Sequence, residues 1–136
     1  VTTILYAVSA MGADGVGVYK SLTQHGSSRM RTVAWQRYIS LSNGWAKSQE
    51  WIPALKDRDE GVRTAVVNTL RGRIKGLDQG TLGSLVESSH DDVRKFLAES
   101  LINAEQEAVD EYGCDVVIDE TPNVRAVTIR ACAARK

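Results

Sequence analysis

The side chains able to do nucleophilic, metal or acid–base chemistry are few and scattered in this chain. It holds two histidines, His25 and His90, and two cysteines, Cys114 and Cys132. A metal site needs several ligands converging on one point. His90-Asp91-Asp92 puts three candidates side by side without a further partner, and helix capping explains them better. Cys114 and Cys132 would sit on facing helices, offset along the axis at about 1.5 Å per residue. That spacing disfavours a strain-free bridge and leaves two small buried thiols. Two cysteines make no disulfide framework, which points to a reducing, cytoplasmic setting. The glycines of GADGVG, Gly12 to Gly17, lack the strand-to-helix context of a phosphate loop. No nucleophile elbow or zinc spacing is present. These residues point to a chain that is not an enzyme and that uses no cofactor and no metal.

Cations and aromatics offer binding chemistry instead. Arg71, Arg73 and Lys75 cluster where a helix should end. They could meet a phosphate, but complementing the helix dipole is the simpler role, worth about 0.3–1 kcal/mol each. Trp35, Trp45 and Trp51 read respectively as a contact between neighbouring elements, a loop residue and a core residue. An exposed tryptophan would anchor a partner. Seventeen basic and 17 acidic side chains give zero net charge, which argues against a dedicated nucleic-acid or anionic-membrane binder. No apolar run approaches the roughly 20 residues that span a bilayer. The chain begins at Val1, without a charged leader or an initiator methionine. It reads as a trimmed or processed segment without a signal peptide.

The elements that carry these residues follow from a recurring phrase. A turn rich in Asp, Ser or His leads into a hydrophobic residue and then arginine, as DRDEGVR, SSHDDVR and DETPNVR. Arg63, Arg94 and Arg125 are spaced 31 residues apart, and a weaker copy, HGSSRMR, places Arg31 another 32 residues upstream. A fixed period of this length marks stacked two-helix units. The chain therefore reads as a single domain, 1–136, with a remnant helix over 1–11 and repeats of about 12–43, 44–76, 77–104 and 105–136.

Within the repeats the punctuation predicts helices over Gly17–Gln24, Met30–Leu41, Trp45–Lys56 with a kink at Pro53, and Glu60 to about Arg73. Further helices are predicted from Leu77 or Gln79 to Glu87, over Val93 to about Ala104, roughly Glu105–Val117 and Thr121–Lys136. Gly26 should supply a left-handed stop, Ser89 with Asp92 a capping box, and Thr121-Pro122 an N-cap with proline in the first turn. In each second helix the residue before the arginine, and the third and seventh after it, share one face at about 100° per residue. They are Met30, Ala34, Tyr38; Val62, Val66, Leu70; Val93, Leu97, Leu101; and Val124, Thr128, Cys132. The second and fourth residues after each arginine are also mostly apolar, as expected of a helix covered on its front and both flanks.

This helix, aspartate turn, Val-Arg, helix phrase resembles HEAT repeats, in the short form of the phycobilisome-lyase-like group. WIPALKDRDEGVRTAVVNTL, Trp51 to Leu70, is the best copy. The resemblance covers nearly all of the chain from about Gly12. It implies an all-α, right-handed α-solenoid of about four helical-hairpin repeats. It also implies a ladder in which turn aspartates Asp57 and Asp119 bond the arginines Arg31, Arg63, Arg94 and Arg125. His25 and Ser88 replace the aspartate at two turns, where the ladder should be weaker. An iron hydroxylase of the family uses His-Glu pairs, and this sequence has none.

In such solenoids the second helices line a concave side. The resemblance thus places Thr32, Gln36, Thr64, Asn68, Arg71, Lys95, Glu99 and Arg130 on its floor, together with Ile39, Ile102, Ala126 and Ala133. The reading is a non-catalytic scaffold or adaptor binding a protein on that face. The alternative is nucleic-acid binding or base excision like that of the HEAT-like alkyl-base DNA glycosylases. Trp35 and Arg71 would suit it, but no aspartate falls on the floor positions. A bilin lyase or chaperone role would need a deep apolar pocket.

Overall fold

The computed structural model describes residues 15–71, 73 and 77–135. The segment Thr2 to Met11, Lys75, Gly76 and the side chain of Cys114 lie outside that description, and with them the remnant helix, the closing glycine and one of the two thiols. The described residues are helical or in turns, with no strand among them. Contacts divide the chain into two compact units, Val1–Arg73 and Ile74–Lys136.

The first unit opens with α1, Val16–Leu22, and α2, Ser28–Ser42. Helix α1 ends without a left-handed residue: the Thr23 N–H bonds the carbonyls of Tyr19 and Lys20, and its hydroxyl bonds Lys20 again at 2.6 Å. Gly26 is therefore not the left-handed stop that its type suggested. Ser27 does cap α2, its hydroxyl accepting the Met30 N–H at 3.4 Å. At the other end the stop falls on Asn43, which adopts φ 52°. Asparagine tolerates that region better than most residues because its short amide can bond locally.

The single helix expected over Trp45–Lys56 is instead three short pieces: a 3₁₀ turn at Gly44–Ala46, α3 at Ser48–Trp51 and a 3₁₀ stretch at Ile52–Lys56. Pro53 sits in the first turn of the last piece. It has no N–H to continue an α-helical ladder, and i→i+3 bonding tightens the segment rather than merely bending it. Trp51, Ala54 and Leu55 still reach the core. Helix α4, Glu60–Arg71, follows. Helix α2 packs against both α1 and α4, and α4 also packs on the 3₁₀ stretch.

The second unit contains α5 Gln79–Val86, α6 Asp91–Ser100, α7 Gln106–Val117 and α8 Pro122–Ala133. Its first helix packs on its third and its second on its fourth, so two hairpins lie side by side. Asp78 caps α5, accepting the Thr81 N–H at 3.0 Å and its hydroxyl at 2.7 Å. The N-cap of α6 falls on His90 and not on Ser89, as the expected capping box with Asp92 would need. Ser88 is the hydroxyl that acts, taking the His90 N–H at 3.2 Å, and His90 stands at the N-cap without a side-chain bond. Helix α6 gives way to a 3₁₀ turn, Leu101–Asn103.

The front-face pattern fills the interior of each unit. Every residue of it is buried except Cys132, which is half-buried. Thr128 is fully buried among its apolar counterparts because its hydroxyl bonds the Val124 carbonyl at 2.8 Å, the usual internal solution for threonine in a helix.

Candidate functional site

The arginine turn is built the same way four times. The side chain of its first residue accepts the N–H two residues on. Nδ1 of His25 takes Ser27 at 3.0 Å, Oδ1 of Asp57 takes Asp59 at 2.9 Å, Oγ of Ser88 takes His90 at 3.2 Å, and Oδ1 of Asp119 takes Thr121 at 2.8 Å. Asp, Ser and His have one property in common here, an acceptor at the right reach. The arginine six residues on then closes the turn through Nη1. Arg31 bonds the His25 carbonyl at 2.9 Å, Arg63 that of Asp57 at 2.6 Å, Arg94 that of Ser88 at 2.9 Å and Arg125 that of Asp119 at 2.6 Å.

Arg31 and Arg94 also reach forward to the next turn. Arg31 grips Asp57 through Nε at 2.8 Å and Nη2 at 3.0 Å. Arg94 grips Asp119 through Nε at 2.6 Å and Nη2 at 3.3 Å, with Nη2 also donating to the Thr121 hydroxyl at 3.2 Å. That hydroxyl was expected to cap α8. Arg94 engages it instead, and α8 starts on Pro122 with no side-chain cap. These forks are the planar two-point recognition that arginine supplies and lysine does not. Burial pushes the Asp57 carboxyl up, but the Arg31 guanidinium and the Asp59 N–H outweigh it and hold it below the usual carboxylate range. Asp119 is held low in the same way, burial being outweighed by Arg94 and by Thr121.

The proposed floor positions lie outside the core. In the first unit Thr32 and Gln36 are half-buried on α2, while Thr64, Asn68 and Arg71 are exposed on the adjoining α4. Arg71 donates to the Asn68 side chain at 3.0 Å. In the second unit Lys95 and Glu99 are half-buried on α6, and Arg130 is exposed on its neighbour α8. Ile39 departs from this set: it is fully buried and belongs to the core. Ile129 departs from the flanking set. Trp35, Val67 and Ala98 at the same register are buried, but Ile129 is 58% exposed.

Arg73 closes the end of α4, donating to the Thr69 carbonyl at 3.0 Å and to the Ser40 hydroxyl at 3.1 Å. That is the helix-terminus role expected for the cationic cluster. Trp35 and Trp51 are buried and Trp45 is half-buried. Trp35 meets Tyr38 edge to face, with centroids 6.1 Å apart.

Sequence reasoning missed two features. Tyr38 donates to Glu50, and Lys20 lies 3.6 Å from the same carboxylate and 5.6 Å from the Tyr38 ring centroid. This clamp ties α1, α2 and α3 together. No periodicity announces it, because the three residues belong to different elements. The second is a cavity of about 370 Å³ where the first two arginine turns meet, walled by Gln24 to Gly26 on one side and Pro53 with Lys56 to Arg58 on the other, with Trp35 and Arg31 behind. The only forewarning was that two turns of one repeat pattern must lie near each other.

Among the described residues no three His, Cys, Asp or Glu side chains are grouped to hold a metal ion, and no helix is long and apolar enough to cross a membrane. No protein-family model, no curated protein and no solved structure matches the chain.

Proposed function

We propose that this protein is a non-catalytic interaction module, an α-solenoid of HEAT-like hairpins that binds a protein partner on the faces of its second helices. One observation carries the reading: the framework repeats while the exposed chemistry changes. The turn acceptor and the arginine recur four times, and the inward positions stay apolar apart from Thr128. The outward positions run from Thr32 and Gln36 through Thr64 and Asn68 to Lys95 and Glu99, and end in Ala126 and Arg130. Repeated scaffolds carrying varied outward side chains are suited to reading an extended partner surface. Arg71 in the first unit, and Lys95, Glu99 and Arg130 in the second, supply the charges of these faces.

Affinity capture from lysate tests this. Glu99→Lys with Arg130→Glu reverses two charges on exposed or half-buried positions, and unfolding curves check that stability is kept. The expected outcome is a partner retained by the wild-type chain and lost by the double variant. Recovery of no protein by the wild type, or equal capture by both, refutes the reading. A salt-titrated shift assay with duplex DNA serves as control, and salt-sensitive binding there would redirect it to nucleic acid.

A further inference from the structure

We infer that the cavity between the first two arginine turns is a docking notch for an acidic peptide segment of a partner, which presents a carboxylate beside an apolar side chain. It lies on the turn edge of the first unit, so the inference does not depend on the helix-face reading.

Charge sets the ligand class. Arg31 and Asp57 line the notch but neutralise each other through their two-point bond. Lys56 and Arg58, both exposed, line it as well, and the side chain of neither makes an ion pair or hydrogen bond with another described residue. His25 adds a third polar group. Its Nδ1 already accepts the Ser27 N–H, so in the neutral ring the proton sits on Nε2, a donor left for an oxygen ligand. Two cations that no side chain engages by a hydrogen bond or close ion pair, and an N–H donor, favour a carboxylate at this notch, although Arg58 also acts at longer range on Asp57 and the whole chain is neutral.

Shape narrows the class further. A site for a drug-sized molecule encloses about 70–90% of it, whereas this cavity is broadly open to solvent. A shallow notch suits one or two side chains of a larger partner. Pro53 and Trp35 add apolar surface to the lining beside the cations, the usual composition of an anchoring point. Nucleic acid would need a longer basic track to gain affinity by releasing counterions, and two cations do not make one.

The test is an amide and indole NMR titration of the intact chain at low salt. The probe is a five-residue peptide with four glutamates around a central leucine. The expected result is saturable shifts at the Trp35 indole and the Gly26, Lys56 and Arg58 amides. Affinity should fall about tenfold or more when Lys56→Glu and Arg58→Glu are combined, and as much again in high salt. Both side chains are exposed, and an unchanged circular dichroism spectrum and Tm confirm the fold of that variant. Absence of shifts would overturn the proposal. So would equal binding of the all-glutamine peptide, equal binding by the double variant, or tighter binding of a single-stranded thymidine oligonucleotide to the same residues. Glu99→Lys with Arg130→Glu should leave this titration unchanged, which separates its outcome from that of the helix-face capture.

Discussion

At the scale of single residues, the arginine turn divides into parts whose contributions differ in size. Asp57 does two jobs: it accepts its own turn N–H and pairs with Arg31. The side chains of that pair are 8% and 9% exposed. Removing one partner of such a pair strands the other charge, which costs about 3 kcal/mol or more. Asp57→Ala should therefore lower the urea-derived stability by about that amount. Asp57→Asn keeps the turn acceptor and should cost less. The His25 side chain makes only the turn bond among the described residues, so His25→Ala should cost about 1 kcal/mol, and His25→Asp should recover that loss. A loss at His25→Ala as large as that at Asp57→Ala would show that the local turn, and not the fork, supplies the stability.

Among the elements, close packing of α5 against α7 gives the sharpest expectation. A Cβ built on Gly83 would lie 2.8 Å from the Tyr112 hydroxyl and 3.3 Å from its ring carbon. Alanine normally favours a helix over glycine by about 1 kcal/mol, but here the hydroxyl stands in its way. Gly83→Ala alone should be destabilising in thermal unfolding. Combined with Tyr112→Phe, which removes the blocking oxygen, it should become neutral or stabilising. The two changes are thus expected to be non-additive, and simple additivity would place the contact elsewhere. The 3₁₀ stretch at Ile52–Lys56 teaches a related lesson: Pro53 announced a kink in sequence, but a proline in this position ended the α-helix outright.

Across the whole molecule, acid should act on both units together. Each unit holds a forked pair, Arg31–Asp57 in the first and Arg94–Asp119 in the second. Both aspartates are held below the ordinary value, as is Asp78 through its bonds to the Thr81 hydroxyl and N–H. A carboxylate depressed in the folded state contributes stability above its unfolded pKa of about 3.9. That stability is lost as pH falls through the lower folded value. Tm is therefore expected to hold steady near neutrality and to fall steeply below about pH 4. Asp119→Asn should flatten that fall, and an unchanged acid limb would show that other carboxylates govern it.

The sequence alone determined where most of the described helices would lie, the segment Trp45–Lys56 excepted, and which face of each second helix would turn inward. A period of 31 residues and apolar spacing near the helical repeat are local signals, legible without any fold. It also marked the arginines, because their type and position recur. It did not show that histidine and serine do the work of aspartate in the turn, since that equivalence rests on an acceptor atom's reach and not on residue class. Nor did it reveal that Ile39 is core and Ile129 is open, that Arg94 takes the hydroxyl expected to cap α8, or that two turns border an open notch lined by Arg31, Lys56 and Arg58. Those outcomes depend on what a neighbouring element brings within a few ångströms, and only the packing of one helix against another decides that.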